Sequence, residues 1–437
     1  MPIGVLSSYN DFIIISMLSF IFSGLAFLGY AKFKFKDKIF YPSVIFSLMW
    51  GICCLYIGVI LAGYGKNLFL KEYYTFKYMD EYIVYFTLVS LLGFYLSHKF
   101  GGKNGICLGF SLDFIDKILV RYKFIMWLCF LGGILRIILM VNLVGFDLDR
   151  ITDYRVAANN MMMTSGMGFV HLVFKITSYI QMLANFYVAL YGFRVGFSML
   201  NLKRTLILFI LYSPIQLATG GRLFIFYFLI FYFGSFLLSR GLAYNFEISR
   251  WLQSSEKKVL IVLFGSLLSL VAIIGMFRGA SHSTNSKKEN FIEKFAYITE
   301  GVLCTEKLMC KYPPGTFSCD YGTTTFTSIP SAKYVEYRKH LNNTRMSNII
   351  SCIIAPLYLD FGFAGSLIAW LVIVMIIEAL SLRCLANFTL INFLLFLVLL
   401  KVSYETIMTN SILINLPTYE LLIIFALLYK PIFGRLE

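Results

Sequence analysis

Residues 12–30 read FIIISMLSFIFSGLAFLGY, an apolar run without a charged residue, and Lys32, Lys34, Lys36 and Lys38 follow it closely. About 20 apolar residues are enough for an α-helix to cross the hydrocarbon core of a bilayer. No cleavage pattern of a signal peptide accompanies this run, so we interpret it as a retained membrane span. The stretch therefore predicts an integral membrane protein.

Further apolar runs of this length recur along the chain and predict about eleven spans in total. The runs lie near residues 11–30, 43–64, 82–98, 124–145, 168–192, 205–218, 223–239, 259–277, 361–382, 387–405 and 411–429. The predicted fold is all-α, a polytopic transmembrane helical bundle. Spans one to eight occupy residues 1–277, and a large periplasmic loop occupies residues 278–346. A re-entrant segment and the last three spans occupy residues 347–437, and Pro356, Asp360 and Gly362 interrupt the apolar run before the ninth span.

The composition agrees with a bilayer environment, because 59% of the residues are hydrophobic and 14% are charged, against about 25% charged in soluble domains. The net charge of +15 does not indicate nucleic acid, since many basic residues lie in short loops, where positive charge sets topology. The basic loops 31–41, 99–123, 193–204 and 240–258 fall on one face if the spans alternate. That face is assigned to the cytoplasm, which leaves the N-terminus outside. The nine cysteines show no metal-ligand spacing, so no metal is predicted.

The large loop combines aromatic, hydroxyl and basic side chains. Four of its apolar residues recur at helical spacing and predict an amphipathic helix lying on the membrane, which ends at Pro313 and Pro314. Aromatic faces, hydroxyls and arginine forks together suit a phosphate-bearing sugar, and a folded cap with a solvated basic face is an equal alternative. The helical residues are Phe291, Phe295, Ile298 and Val302, and the basic run Lys333 to Arg345 contains Arg338 and His340.

The turn Thr219-Gly220-Gly221-Arg222 follows a short sixth span. That span covers roughly 22 Å at 1.5 Å per residue, less than the hydrocarbon thickness, so Arg222 is expected below the outer surface. The glycines permit a tight turn, and the next helix directs its positive dipole end the same way. We interpret the turn as an anion site, and a hairpin with a snorkelling arginine is the alternative.

Ionisable residues inside spans are functional candidates by default. Arg136 lies in the middle of a span, and His171 and Lys175 are four residues apart near an outer end. Lys401 and Glu405 repeat that spacing, which also fits an internal ion pair. A polar cavity that opens outward accounts for these positions together.

Loop 146–167 carries Arg150 and Arg155 among aspartates. The pair Asp147 and Asp149 has the spacing of a metal-binding DxD motif. Such short matches are frequent by chance, so we interpret these aspartates as solvated or paired with the arginines.

Taken together, these features resemble the Wzy-type O-antigen polymerases, which join oligosaccharide repeat units. The resemblance rests on the Gly220-Gly221-Arg222 turn, the large late outer loop, and the segment Pro356-Leu-Tyr-Leu-Asp360-Phe-Gly362-Phe-Ala-Gly365. Arg155, followed by ten residues and then Gly166, also fits a pattern of that family, whereas eleven residues separate Arg222 from Gly234.

The resemblance implies a GT-C-like fold in the bacterial inner membrane and a glycosyltransferase that needs no cofactor. Both substrates would be oligosaccharides on undecaprenyl diphosphate, and a chain-length-determining co-polymerase is a candidate partner. Arginines would stabilise the leaving diphosphate, and a base would accept the proton of the attacking hydroxyl. The candidates for the diphosphate are Arg222 and Arg155, then Arg278, Arg338 and Arg345, with Gly220, Gly221, His171 and Lys175 as further binding residues. The candidates for the base are His340, then Glu405 and Asp360.

Three other functions fit parts of the sequence. A lipid-linked oligosaccharide flippase would also have many spans, but it favours short loops and two related halves. An O-antigen ligase or another GT-C glycosyltransferase differs from a polymerase chiefly in its acceptor. A non-enzymatic component of an export complex is the third alternative.

Overall fold

The computed structural model of the protein describes most of the predicted spans and part of the large loop. Its described residues are 3–34, 41–64, 76–100, 109–144, 168–198, 201–217, 227–243, 300–321, 325, 352–406 and 422–423. These residues are about 88% helical and contain no strand. The all-α class predicted from the sequence is therefore confirmed.

The helices follow one another along the chain with short breaks. They are α1 Ile3–Lys34, α2 Pro42–Val59 with a π-helical turn Ile60–Tyr64, α3 Met79–Phe100, α4 Leu112–Arg121, α5 Phe124–Val144, α6 Gly168–Gly196, α7 Leu202–Tyr212, α8 Pro214–Leu217, a π-helical turn Leu229–Phe233 that continues into α9 Gly234–Ala243, α10 Glu300–Lys311, α11 Ile354–Ala386 and α12 Leu390–Glu405.

Five helices within the described residues are long and apolar enough to cross a membrane. They are Ile13–Lys34, Pro42–Ala62, Met79–Phe100, Phe124–Asn142 and Ile354–Ala386, which correspond to the first four predicted spans and the ninth. Their exposed side chains are apolar: in α11, Ile368, Val372, Ile376 and Leu380 form an exposed stripe at four-residue spacing. A stripe of this kind suits contact with lipid. The chain is thus a helical membrane protein, and the total of eleven spans stays a prediction.

The first of two compact units contains residues 1–107, 289–387 and 398–419. Helices α3 and α11 run parallel and in register: Tyr82 contacts Ser366 and His98 contacts Glu378. Helix α2 runs antiparallel to them, since Ser43 at its start also bonds to Glu378. The centre of the unit is aromatic, with the rings of Phe46, Trp50, Phe86 and Trp370 packed together.

The second unit contains residues 108–288, 388–397 and 420–437. Its helices α5, α6, α7 and α9 alternate in direction. Thr177 of α6 lies against Arg136 of α5, Asn185 of α6 accepts from Tyr212 of α7, and Thr205 at the start of α7 meets Tyr232. The alternation is the arrangement expected for successive membrane crossings.

The parallel course of α3 and α11 constrains the chain between them. If both cross the membrane in the same direction, an odd number of crossings must separate them. The sequence predicts five spans between Phe100 and Ile354, which meets this condition and remains a prediction.

One end of the first unit is rich in basic residues. Lys34 at the end of α1 lies 5.4 Å from the ring of Tyr41, and Tyr41 packs against His98, which precedes Lys99 at the end of α3. The positive-inside rule assigns this end to the cytoplasm. The opposite end, where α3 begins, is then the outer end.

Candidate functional site

Helix α11 is interrupted near its outer end. Gly362 has φ 70° and ψ −169° inside the helix, a combination that is essentially restricted to glycine. The two turns before it, from Ile354 to Asp360, are completely buried, and the long span follows it. Pro356 was expected to interrupt the apolar run as well, but it lies in the first turn of α11. Proline is tolerated there because the amide it lacks has no intrahelical partner.

A segment of the large loop is docked onto this interruption through backbone hydrogen bonds. The Asp320 amide donates to the Leu359 carbonyl (3.1 Å), and the Tyr321 amide donates to the Asp360 carbonyl (3.0 Å). The Thr325 amide donates to the Asp360 carboxylate at 2.6 Å. Buried backbone groups need partners, so a break in the helix and the loop that covers it stabilise one another.

Aromatic residues surround the docked segment. The Tyr358 hydroxyl donates to the Tyr312 carbonyl at 2.6 Å, and the Phe317 ring packs on the rings of both tyrosines. Tyr321 has a left-handed φ of 49°, and its side chain is 84% exposed. A non-glycine residue with this φ is uncommon. The loop thus presents an exposed aromatic ring directly beside the helix break.

Helix α10 holds the outer end of α3. The buried Glu306 carboxylate accepts hydrogen bonds from the amides of Lys77 (2.7 Å) and Met79 (2.8 Å). A carboxylate at a helix N-terminus compensates free amides and the helix dipole. The loop helix was expected to lie on the membrane, but Val302 and Leu308 are buried in the core of the first unit. The predicted end of the helix before Pro313 is confirmed, because α10 ends at Lys311.

Glu306 also acts on a neighbouring thiol. Cys310 lies one helical turn later and its Sγ is 3.2 Å from the glutamate oxygen. Burial and the adjacent carboxylate raise the pKa of the Cys310 thiol to about 12. Because both effects disfavour the thiolate, Cys310 is a poor nucleophile at neutral pH.

Two predicted candidates for the base lie in the first unit, and both are buried. The Asp360 side chain is fully buried and its carboxylate binds the loop backbone. Glu405 is 3.6 Å from Lys401, in the internal ion pair that the sequence allowed. The residue after it, Thr406, accepts from the Ile353 amide at 2.8 Å. This geometry favours positioning roles for both carboxylates, and their role as a base stays a prediction.

A buried carboxylate at the cytoplasmic end was missed in the sequence. Glu378 is fully buried and accepts from the Ser43 hydroxyl (2.6 Å) and the Ser43 amide (3.1 Å). The ring nitrogen of His98 lies 2.6 Å from the same carboxylate. The signal was present, because Glu378 is an ionisable residue inside the predicted ninth span. Its contacts join the ends of α2, α3 and α11.

Arg136 is buried in the second unit. Its guanidinium donates to the Thr177 hydroxyl (2.5 Å), the Phe174 carbonyl (2.7 Å), the Ser178 hydroxyl (2.8 Å) and the Ile215 carbonyl (3.3 Å). No carboxylate pairs with it among the residues that the structure describes. The Ile215 carbonyl becomes accessible because the helix is broken between α7 and α8, at Ser213 and Pro214.

The remaining predicted site residues are distributed differently. Lys175 is exposed between Leu172 and Ile176, which are exposed apolar residues of α6. It therefore lies on the lipid-facing side of its helix rather than in a cavity of its unit. His171 belongs to α6 one turn earlier, and only its backbone is described. The other predicted residues lie outside the described residues: Arg155, Gly220, Gly221, Arg222, Arg278, Arg338, His340 and Arg345.

The flanks of the predicted glycine turn are described. Helix α8 ends at Leu217, and helical structure resumes at Tyr227. A search for metal-binding groups of histidine, cysteine and acidic residues finds none among the described residues. No protein-family model, curated protein or solved structure matches this chain.

Proposed function

We propose that the protein is a glycosyltransferase that joins undecaprenyl-diphosphate-linked oligosaccharide repeat units at the outer face of the bacterial inner membrane. The observation that carries the proposal is the docked loop at the Gly362 break. It combines an interrupted span, aromatic rings and an exposed tyrosine at the membrane surface.

This location suits a substrate that is part lipid and part sugar. The polyprenyl chain remains in the bilayer, and the diphosphate and sugars lie at the surface, where the loop is. Irregular backbone at membrane depth is tolerated where protein buries it or where it lines a cavity. The exposed ring of Tyr321 offers a flat apolar surface to the apolar face of a sugar ring.

The proposed reaction is a substitution at the anomeric carbon of the growing chain. A hydroxyl of the incoming unit forms the new glycosidic bond, the bond to the diphosphate breaks, and the hydroxyl proton passes to a base. Arg222 and Arg155 are proposed to stabilise the departing undecaprenyl diphosphate, and His340 is proposed as the base. Asp360 fits a supporting role, because its carboxylate holds the loop backbone.

A lipid-linked oligosaccharide flippase is the second candidate. The observation that favours it is Arg136, a buried cation beside the broken helix α7–α8 with neutral partners only among the described residues. Charged groups and broken helices within the membrane are typical of transport pathways. A flippase and a polymerase nevertheless give different products when they are lost.

Deletion of the gene in its host separates the two functions. Loss of a polymerase leaves the lipopolysaccharide core with a single repeat unit on a gel, because export and ligation continue. Loss of a flippase or a ligase leaves bare core, and this result would refute the polymerase assignment.

Complementation then tests the site. Tyr321→Phe keeps the aromatic ring and is expected to restore the full ladder. Tyr321→Ala removes the ring and is expected to restore a shortened or faint ladder at equal protein abundance. A full ladder with Tyr321→Ala would remove the docked loop from the proposed site and leave the deletion result standing.

A further inference from the structure

The second unit contains a cavity at its cytoplasmic end, away from every residue proposed above for glycosyl transfer. The starts of α5 and α7 and the last turns of α6 line it, and its volume is about 210 Å³. At roughly 30 Å³ per water molecule, it has space for about seven waters. This space fits a phosphate with part of a glycerol group and is too small for an oligosaccharide.

Two cations stand at this cavity without an acidic partner. Lys123 and Arg204 line it, and both side chains are exposed. Among the described residues, neither pairs with a carboxylate, and the acid Asp116 of α4 binds Arg194 at 2.7 Å instead. Arg204 interacts with the hydroxyl of Tyr191, which also lines the cavity. The cavity therefore carries an unneutralised double positive charge.

Helix dipoles strengthen this charge. Helices α5 and α7 run parallel, and both begin at this end, at Phe124 and Leu202. The N-terminus of a helix carries a partial positive charge and free amides. Two such ends and two cations together create a positive potential at the cavity.

The walls of the cavity are apolar and continue onto the lipid-facing surface. Trp127 and Ile207 line it and are 57% and 48% exposed. Leu131 and Ile210, one turn further along the same two helices, are exposed as well. A ligand bound here can therefore place a charged group at the cations and a hydrocarbon chain along the helices.

We infer that this cavity binds the phosphate headgroup of an anionic glycerophospholipid from the cytoplasmic leaflet. Basic pockets between membrane helices on that side suit anionic lipid headgroups. Two cations match one phosphodiester and a neighbouring polar group. The apolar wall at Trp127 and Ile207 accommodates the first part of an acyl chain.

Quenching of Trp127 by brominated lipids tests the inference. The chain has four tryptophans, of which Trp50 and Trp370 are fully buried. In a Trp251→Phe background, Trp127 is thus the tryptophan accessible to lipid. The full-length protein is placed in phosphatidylcholine vesicles that contain increasing brominated phosphatidylglycerol or, separately, brominated phosphatidylcholine.

The expected result is a preference for phosphatidylglycerol of about tenfold or more, since each cation near the surface contributes roughly a fivefold factor. The double change Lys123→Gln with Arg204→Gln is expected to abolish the preference, and Lys123→Arg with Arg204→Lys is expected to retain it. Arg121→Gln is the matched control, because Arg121 is exposed nearby and stacks on Tyr122 outside the cavity lining. The emission of buried Trp50 and Trp370 reports whether each variant is folded.

Two outcomes would overturn the inference. Equal quenching by both lipids, or a preference that survives the double glutamine change in folded protein, would show that the cavity does not select an anionic headgroup. Displacement by undecaprenyl phosphate at a much lower mole fraction than by unlabelled phosphatidylglycerol would assign the cavity to a polyprenyl phosphate. These results are independent of the gel assay for polymerisation.

Discussion

Replacement of Gly362 by alanine tests whether the break in α11 is maintained by backbone conformation. A Cβ at this position would meet one atom within 4 Å, the Cys319 sulfur at 3.6 Å, which is ordinary van der Waals contact. The cost therefore comes from the backbone, since φ 70° and ψ −169° are strained by about 1–3 kcal/mol for a residue with a side chain. If α11 straightens instead, the hydrogen bonds to Asp320 and Tyr321 are lost, at about 1 kcal/mol each.

Either response lowers stability by about 2 kcal/mol or more, which corresponds to a fall in Tm of roughly 4–8 °C. The measurement is a thermal scan of detergent-purified protein. Gly29→Ala is the matched control, because nothing lies within 4 Å of a Cβ there and alanine favours a helix by up to about 1 kcal/mol. Its Tm is expected to be unchanged or higher.

The same variant has a local readout at Cys319. In a background where Cys107 and exposed Cys310 are replaced by serine, a maleimide is expected to label Cys319 faster in Gly362→Ala than in the parent, because the loop is released. Equal Tm values for Gly362→Ala and Gly29→Ala, together with unchanged labelling, would refute the reasoning that the glycine conformation holds the loop.

Further predictions concern packing, charge and thiol reactivity. Gly133→Ala is expected to destabilise the protein by about 1–3 kcal/mol, because its Cβ would clash with backbone atoms of Ile215; a denaturation midpoint equal to that of Gly29→Ala would contradict this. Arg136→Met is expected to leave Tm unchanged or raised, since it removes a buried charge without an acidic partner among the described residues, while surface polysaccharide is reduced on gels; a lower Tm would show that the four hydrogen bonds outweigh desolvation. Alkylation of Cys310 is expected to be slow at pH 8 and to rise toward pH 12, because its folded pKa is raised to about 12, and Glu306→Gln is expected to lower that pKa and accelerate labelling; identical rates in both proteins would contradict the assigned cause.

Features with local causes could be predicted from the sequence. Long apolar runs predicted the spans α1, α2, α3, α5 and α11, because length and composition alone decide whether a helix can cross a bilayer. The pair Lys401 and Glu405 was accessible for the same reason, since four-residue spacing brings the two side chains together on one helix face.

Features that depend on distant partners could not be predicted. Glu306 caps a helix that begins 227 residues earlier in the chain, and Glu378 meets His98 across 280 residues. Sequence spacing also leaves open which way a helix face points. Lys175 was therefore expected in a polar cavity, although the structure places it on an apolar exposed face. The roles of Arg155, Arg222 and His340 remain predictions, since these residues lie outside the described ones.

Reconstitution of the purified protein with a defined substrate tests the central proposal most directly. The protein is incorporated into liposomes with a single undecaprenyl-diphosphate-linked repeat unit from the host, and the products are separated by size. We predict glycans at integer multiples of the repeat, with one undecaprenyl diphosphate released for each bond formed, and loss of both products with Arg222→Ala. Unchanged single units in the presence of folded wild-type protein, or their movement across the bilayer without chain growth, would contradict the account.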